Sequence, residues 1–151
     1  MRVMDFEQLA FIEKRRRQAV RGIVVLLDGT RGDLLVTIRV GEPGGHLDLR
    51  GRDATGAARK ARLAIGDRVT MAIEYAARDV MAGDATGASA DLVRSGATIE
   101  GIVSAVGEAV SVDCGAAAIL VRGDTLPGAR EGDAVRFTID GEGRAYLIPS
   151  R

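Results

Sequence analysis

Leu63-Ala64-Ile65-Gly66-Asp67-Arg68-Val69-Thr70-Met71-Ala72-Ile73-Glu74-Tyr75 is the stretch whose reading decides the fold. Gly66-Asp67 is a turn, and strict alternation follows it. Val69, Met71, Ile73 and Tyr75 share one face; Arg68, Thr70, Ala72 and Glu74 share the other. A period of two over this length specifies a strand buried on one side. A weaker copy stands at Glu131-Gly132-Asp133-Ala134-Val135-Arg136-Phe137-Thr138-Ile139. Upstream of each lies a matching Gly-Ile-Val, at residues 22–24 and 101–103. The pattern predicts a mainly β protein: two tandem small β-barrels, OB-like or SH3-like, with an N-terminal helix.

Outward from these landmarks the chain divides into four parts. Residues 1–19 read as a basic helix capped by Asp5, with Arg15, Arg16 and Arg17 near its C-terminal end, where the helix dipole favours cations. Residues 20–82 form the first barrel. Its strands are read at Arg21 to Asp28, Asp33 to Val40, His46 to Arg50, the segment above, and Asp79 to Ala82. The first, mostly apolar, is expected to be covered on both faces. About two helical turns are expected before Arg62. Residues 83–97 are a linker, rich in Ala, Gly and Asp, with a helical turn at Ala90 to Arg94. Residues 98–151 form the second barrel, with strands at 98–106, 109–114, 117–122, 134–140 and 144–149.

Charge patterning gives direction to an otherwise neutral chain. Residues 1–62 hold 13 Lys and Arg against 8 Asp and Glu; residues 63–151 hold 8 against 13. The basic front suits a polyanion, and the two halves can attract each other or neighbouring copies. Nothing in the pattern points to catalysis. His46 is the single histidine and reads as a solvated residue; Cys114 alternates with Val110 and Val112 and reads as a small core residue. No cluster offers the three ligands that a zinc site needs, and no phosphate-cradling Gly-rich loop precedes a Lys. No enzyme activity, metal or cofactor is therefore expected. The single cysteine excludes an intrachain disulfide. The start, Met1-Arg2-Val3-Met4-Asp5, lacks an apolar leader, so a cytoplasmic location is expected, with no membrane partner.

The front half resembles a known family over residues 20–78. Gly22-Ile23-Val24-Val25, Gly45-His46, Ala58-Arg59-Lys60-Ala61-Arg62-Leu63 and Gly66-Asp67-Arg68-Val69-Thr70-Met71 follow the order seen in OB-fold proteins of the bacterial translation initiation factor one and ribosomal RNA-binding repeat type. The resemblance implies single-stranded RNA or DNA lying on the outer faces of the second and third strands. It offers Arg39, Arg50, Arg52, Arg59, Lys60, Arg62 and Arg68 as phosphate contacts, to which the charge pattern adds Arg15, Arg16, Arg17 and Arg21. Aromatic platforms for base stacking are scarce, with three Phe, two Tyr and no Trp, and stacking supplies about 1–3 kcal/mol per base. Phosphate contacts alone imply weak, salt-sensitive binding. A second similarity is to PilZ receptors for cyclic dinucleotides, through Arg17 and Arg21 four apart and Asp53-Ala54-Thr55-Gly56-Ala57-Ala58, where Thr55 and Ala58 depart from that family's Ser and Gly. An alternative class is an assembly module that binds a protein partner or itself through the N-terminal helix.

Overall fold

The computed structural model describes residues 18–30, 33–42, 45–84 and 91–148. Apart from Gln18 and Ala19, the helix expected over 1–19 lies outside them, as do Arg15, Arg16 and Arg17.

Eleven strands dominate the described residues: β1 Val20–Thr30, β2 Asp33–Glu42, β3 Gly45–Asp53, β4 Arg68–Tyr75, β5 Ala77–Ala82, β6 Leu92–Val93, β7 Thr98–Ala105, β8 Ala109–Asp113, β9 Ala118–Arg122, β10 Ala134–Ile139 and β11 Gly143–Leu147. One short helix, α1 Ala57–Lys60, follows β3. It has one turn where the sequence suggested two. Its first amides are held by the Asp53 carboxylate, which accepts from the N–H of Ala58 at 3.2 Å and of Arg59 at 3.1 Å.

The alternating segment behaves as its periodicity requires. Val69, Met71, Ile73 and Tyr75 are all buried, and Arg68 on the opposite register is exposed. The two Gly-Asp turns are built alike. Gly66 donates its N–H to Val24 O at 2.8 Å, and Val24 donates to Asp67 O at 2.9 Å. In the second copy Gly132 donates to Val103 O at 2.8 Å, and Val103 to Asp133 O at 2.9 Å. Each Asp carboxylate accepts the N–H three residues back, from Ala64 and from Arg130, at 2.9 Å in both. Gly66 and Gly132 have φ of 96° and 92°, a left-handed region costly for residues with a Cβ. The Gly-Asp pair thus closes the turn and locks the alternating strand onto the Gly-Ile-Val strand.

Hydrogen bonding then departs from two self-contained units. β1, β2, β3, β11 and β4 pair in that order, and β4 returns to β1, closing a five-stranded barrel. Its fourth wall therefore comes from the C-terminal end of the chain. β11 runs parallel to β3, with Gly143 beside Gly51, and antiparallel to β4, with Tyr146 beside Ala72. The second run, β9-β8-β7-β10-β5, joins the first where Tyr75 of β4 pairs with Val121 of β9. β5, from the front half, pairs antiparallel with β10. Each half thus lends a strand to the other. The division expected at 83–97 is not a division of the sheet, and one hydrophobic cluster runs from Val24 and Val36 through Tyr75 to Val121 and Phe137.

Two local expectations are corrected. Leu92–Val93, expected as a helical turn, is strand β6, parallel to Asp48 and Leu49 of β3; it satisfies the part of the β3 edge that β11 leaves open. β1 is not covered on both faces: Ile23 is 45% and Leu26 50% exposed. Its apolar run includes a bulge between Val24 and Leu26, which breaks the alternation. His46 is exposed near the start of β3, in the strand expected there.

Tyr75 sits where the two strand systems meet. Its hydroxyl donates to Arg50 O at 3.0 Å and approaches Val93 O at 3.5 Å. Burial pushes its phenol well above the usual tyrosine range, and the nearby Glu142 charge adds to this. An unfolded tyrosine ionises near pH 10, whereas the folded one stays neutral. Its contribution is therefore complete below about pH 10 and is lost as pH rises above that value. Stability measured by urea unfolding is expected to fall less steeply above about pH 10 in Tyr75→Phe than in the parent chain.

Candidate functional site

The arginines expected to hold phosphates do not form one surface. Two are engaged by acids that sequence spacing does not reveal. Arg39 on β2 donates from Nε and Nη2 to the Asp48 carboxylate on β3, at 2.9 and 3.1 Å. That hydrogen bond, then the Asp48 charge, raises the Arg39 pKa. Arg50 Nε lies 3.7 Å from Glu142 Oε2. Both atoms are buried, and neither has a hydrogen-bond partner. Arg50 is therefore turned towards the junction between halves rather than offered to a ligand.

The remaining described candidates form no ion pair within 4 Å among the described residues, and they fall into separate groups. Arg21 and Arg68 lie on the outer face of β1 and β4. Arg59 and Lys60 end α1, and Arg62 follows in a left-handed conformation with φ 53°. Arg52 occupies the outer face of β3, where its neighbour on β11 is Arg144, in direct register. The sequence reading missed Arg144 because it stands 92 positions from Arg52; only the crossing of β11 brings them together.

Arg52 and Arg144 line a cleft of about 290 Å³ with Asp33, Asp53, Glu142 and the backbone of Gly143. The Asp53 carboxylate is taken by the α1 amides, and Glu142 is directed at Arg50. Asp33, at the start of β2, has no such partner among the described residues. Adjacent strands are about 4.8 Å apart, so two outward guanidinium groups in register converge on one region. Planar guanidinium forks suit tetrahedral oxyanions, and mutual repulsion between two unpaired cations is relieved when an anion lies between them. No group of three or more His, Cys, Asp or Glu suited to a metal is present among the described residues. No described helix is long and apolar enough to cross a membrane.

Aromatic platforms are absent from the described surface. Tyr75, Phe137 and Tyr146 are 1%, 1% and 8% exposed. Cys114 is half-buried and packs against the core, as its alternation suggested.

No family model matches the chain, and no curated protein matches it. Among solved structures it is similar to ModG, described as a cytoplasmic molybdate-binding protein and solved with molybdate bound. The TM-score is 0.53 at 19% identity, over 88% of this chain and 96% of that one. The likeness spans both strand systems rather than one barrel, and it is to a molybdate-binding protein rather than to a translation factor or a cyclic-dinucleotide receptor. What it establishes is the fold: a small, OB-like β-barrel architecture.

Proposed function

We propose that this chain binds a small tetrahedral oxyanion in the cleft between Arg52 and Arg144. The observation that carries the reading is their register across β3 and β11, in a fold shared with a protein that holds molybdate. The site exists only when β11 crosses to the front barrel, so binding is coupled to the strand exchange. Asp33 opposes an anion and sets a modest affinity. Calorimetry with molybdate, sulfate and phosphate tests this. Each charge-assisted contact is worth about 1.5–3 kcal/mol, so Arg52→Ala and Arg144→Ala are each expected to weaken binding about tenfold or more, and Asp33→Asn to strengthen it. Absence of heat with all three anions, or binding unchanged in both arginine variants, contradicts the reading.

A second reading, contact with single-stranded RNA or DNA phosphates, is favoured by Arg21, Arg59, Lys60, Arg62 and Arg68, which have no acidic partner within 4 Å among the described residues. With no exposed aromatic there, affinity rests on phosphates and falls steeply with salt. Fluorescence anisotropy at two salt concentrations separates the readings: a salt-steep signal with oligonucleotides, and no anion heat, supports the second.

A further inference from the structure

The two halves present equivalent outer faces of opposite charge. The strand systems superpose in register: Ile23 on β1 is flanked by Arg39 of β2 and Arg68 of β4, and Ile102 on β7 is flanked by Asp113 of β8 and Ala134 of β10. The bulges correspond as well, between Val24 and Leu26 in one and between Val103 and Ala105 in the other. At matching positions Arg21 stands against Glu100, Arg39 against Asp113, and Ile65, before the Gly66 turn, against Glu131 before the Gly132 turn; the second face also carries a cation, the exposed Arg136 in register with Glu100, and the three carboxylates outnumber it. The centre of each face stays apolar and bare, with Ile23 45% and Ile102 40% exposed. A shared fold with a shared apolar centre explains the isoleucines if each strand system were simply solvated; it does not explain why the rim reverses sign around them.

We propose that the basic face around Ile23 of one chain docks on the acidic face around Ile102 of a second copy. Two different surfaces of the same chain then meet, so the contact is head-to-tail and repeats until a ring closes. The isoleucines supply the dry centre, and the charged rims set orientation and exclude like-to-like pairing of two basic or two acidic faces. Arg68 is the principal cation, because Arg39 is already held by Asp48. This surface is distinct from the Arg52–Arg144 cleft, so failure of one proposal leaves the other standing.

Sedimentation velocity of the full chain over a range of concentration and salt is the test, with a charge-exchange pair of variants. In Arg21→Glu/Arg68→Glu the basic face is reversed; in Asp113→Lys/Glu131→Lys the acidic face is reversed. Wild type is expected to assemble, less so in high salt. Each variant alone is expected to sediment as a single 15.8 kDa chain, and an equimolar mixture to reassemble. Circular dichroism establishes that each variant is folded. Should a reversal unfold the chain, Arg68→Gln and Glu131→Gln are each expected to need about tenfold more protein to assemble. A wild type that stays single at every concentration overturns the proposal. So does an assembly indifferent to these substitutions, or a folded pair that fails to reassemble.

Discussion

Truncating the chain after Asp140 is expected to open the barrel built by the other end of the sequence. β11 fills the gap between β3 and β4. Its loss removes Ala145, Tyr146 and Ile148, which are 0%, 8% and 4% exposed. It also removes the bonds from Ala54 N to Ala145 O and from Ile148 N to Thr70 O. Burying a large apolar side chain is worth about 1.5–3 kcal/mol, and an abandoned buried backbone group costs about 1–3 kcal/mol. Together these approach the 5–15 kcal/mol that holds a typical domain folded. Amide exchange is the measurement. Protection is expected to vanish from β1, β2 and β3, although those strands are untouched in sequence and far from the cut. The β7–β8 pair, which does not contact β11 in the ladder, is expected to retain more. Front-barrel protection left intact by the truncation contradicts this.

Gly143→Ala is a point substitution with a large expected cost at the junction of the two strand systems. A Cβ there would lie 2.6 and 2.8 Å from two ring carbons of Tyr75 and 3.1 Å from an Ile73 methyl. The ring cannot swing away cheaply, because its hydroxyl is tied to Arg50 O at 3.0 Å and it is buried among residues of the shared core. Gly51, beside Gly143 in the ladder, is crowded in the same way, its added Cβ falling 2.9 Å from Ile73. Gly143 thus makes the room that Tyr75 occupies, and Gly51 the room beside it for Ile73 and Ala145. Overpacking a filled core costs about 1–3 kcal/mol, and this rigid aromatic contact is expected at about 3 kcal/mol in urea unfolding. Tyr75→Leu in the same chain is expected to recover part of the loss, so that the two changes together cost less than their sum. A cost below about 0.5 kcal/mol, the range of ordinary surface changes, contradicts the account of this packing.

The repeated elements were legible because they are local. Alternation at 69, 71, 73 and 75, the twin Gly-Asp turns and the twin Gly-Ile-Val strands each depend on residues a few positions apart, and the structure realises all of them. Strand partnership was not legible, because β5 buries only Ala77 and carries no hydrophobic period, and the alternation of β11 fits either strand system. Nothing in Gly143–Leu147 says which half it completes. The candidate site suffered for the same reason. Arg39 and Arg50 read as free cations until β3 brings up Asp48 and the crossing of β11 brings up Glu142. Arg144 fell in a strand assigned to the back barrel until β11 was placed beside β3. The exposed Ile23 and Leu26 were hidden within an apolar run whose bulge disrupts the period of two.

Reciprocal exchange of strands underlies the candidate anion cleft, the position of Tyr75 and the stability argument alike. Splitting the chain within 85–90 and expressing the two parts separately tests it most directly. Each part alone lacks one strand of its sheet circuit and is expected to be unfolded by circular dichroism. On mixing, the parts are expected to form a folded 1:1 complex, with the cooperative melt of the intact chain. Two parts that each fold and melt on their own would contradict the account.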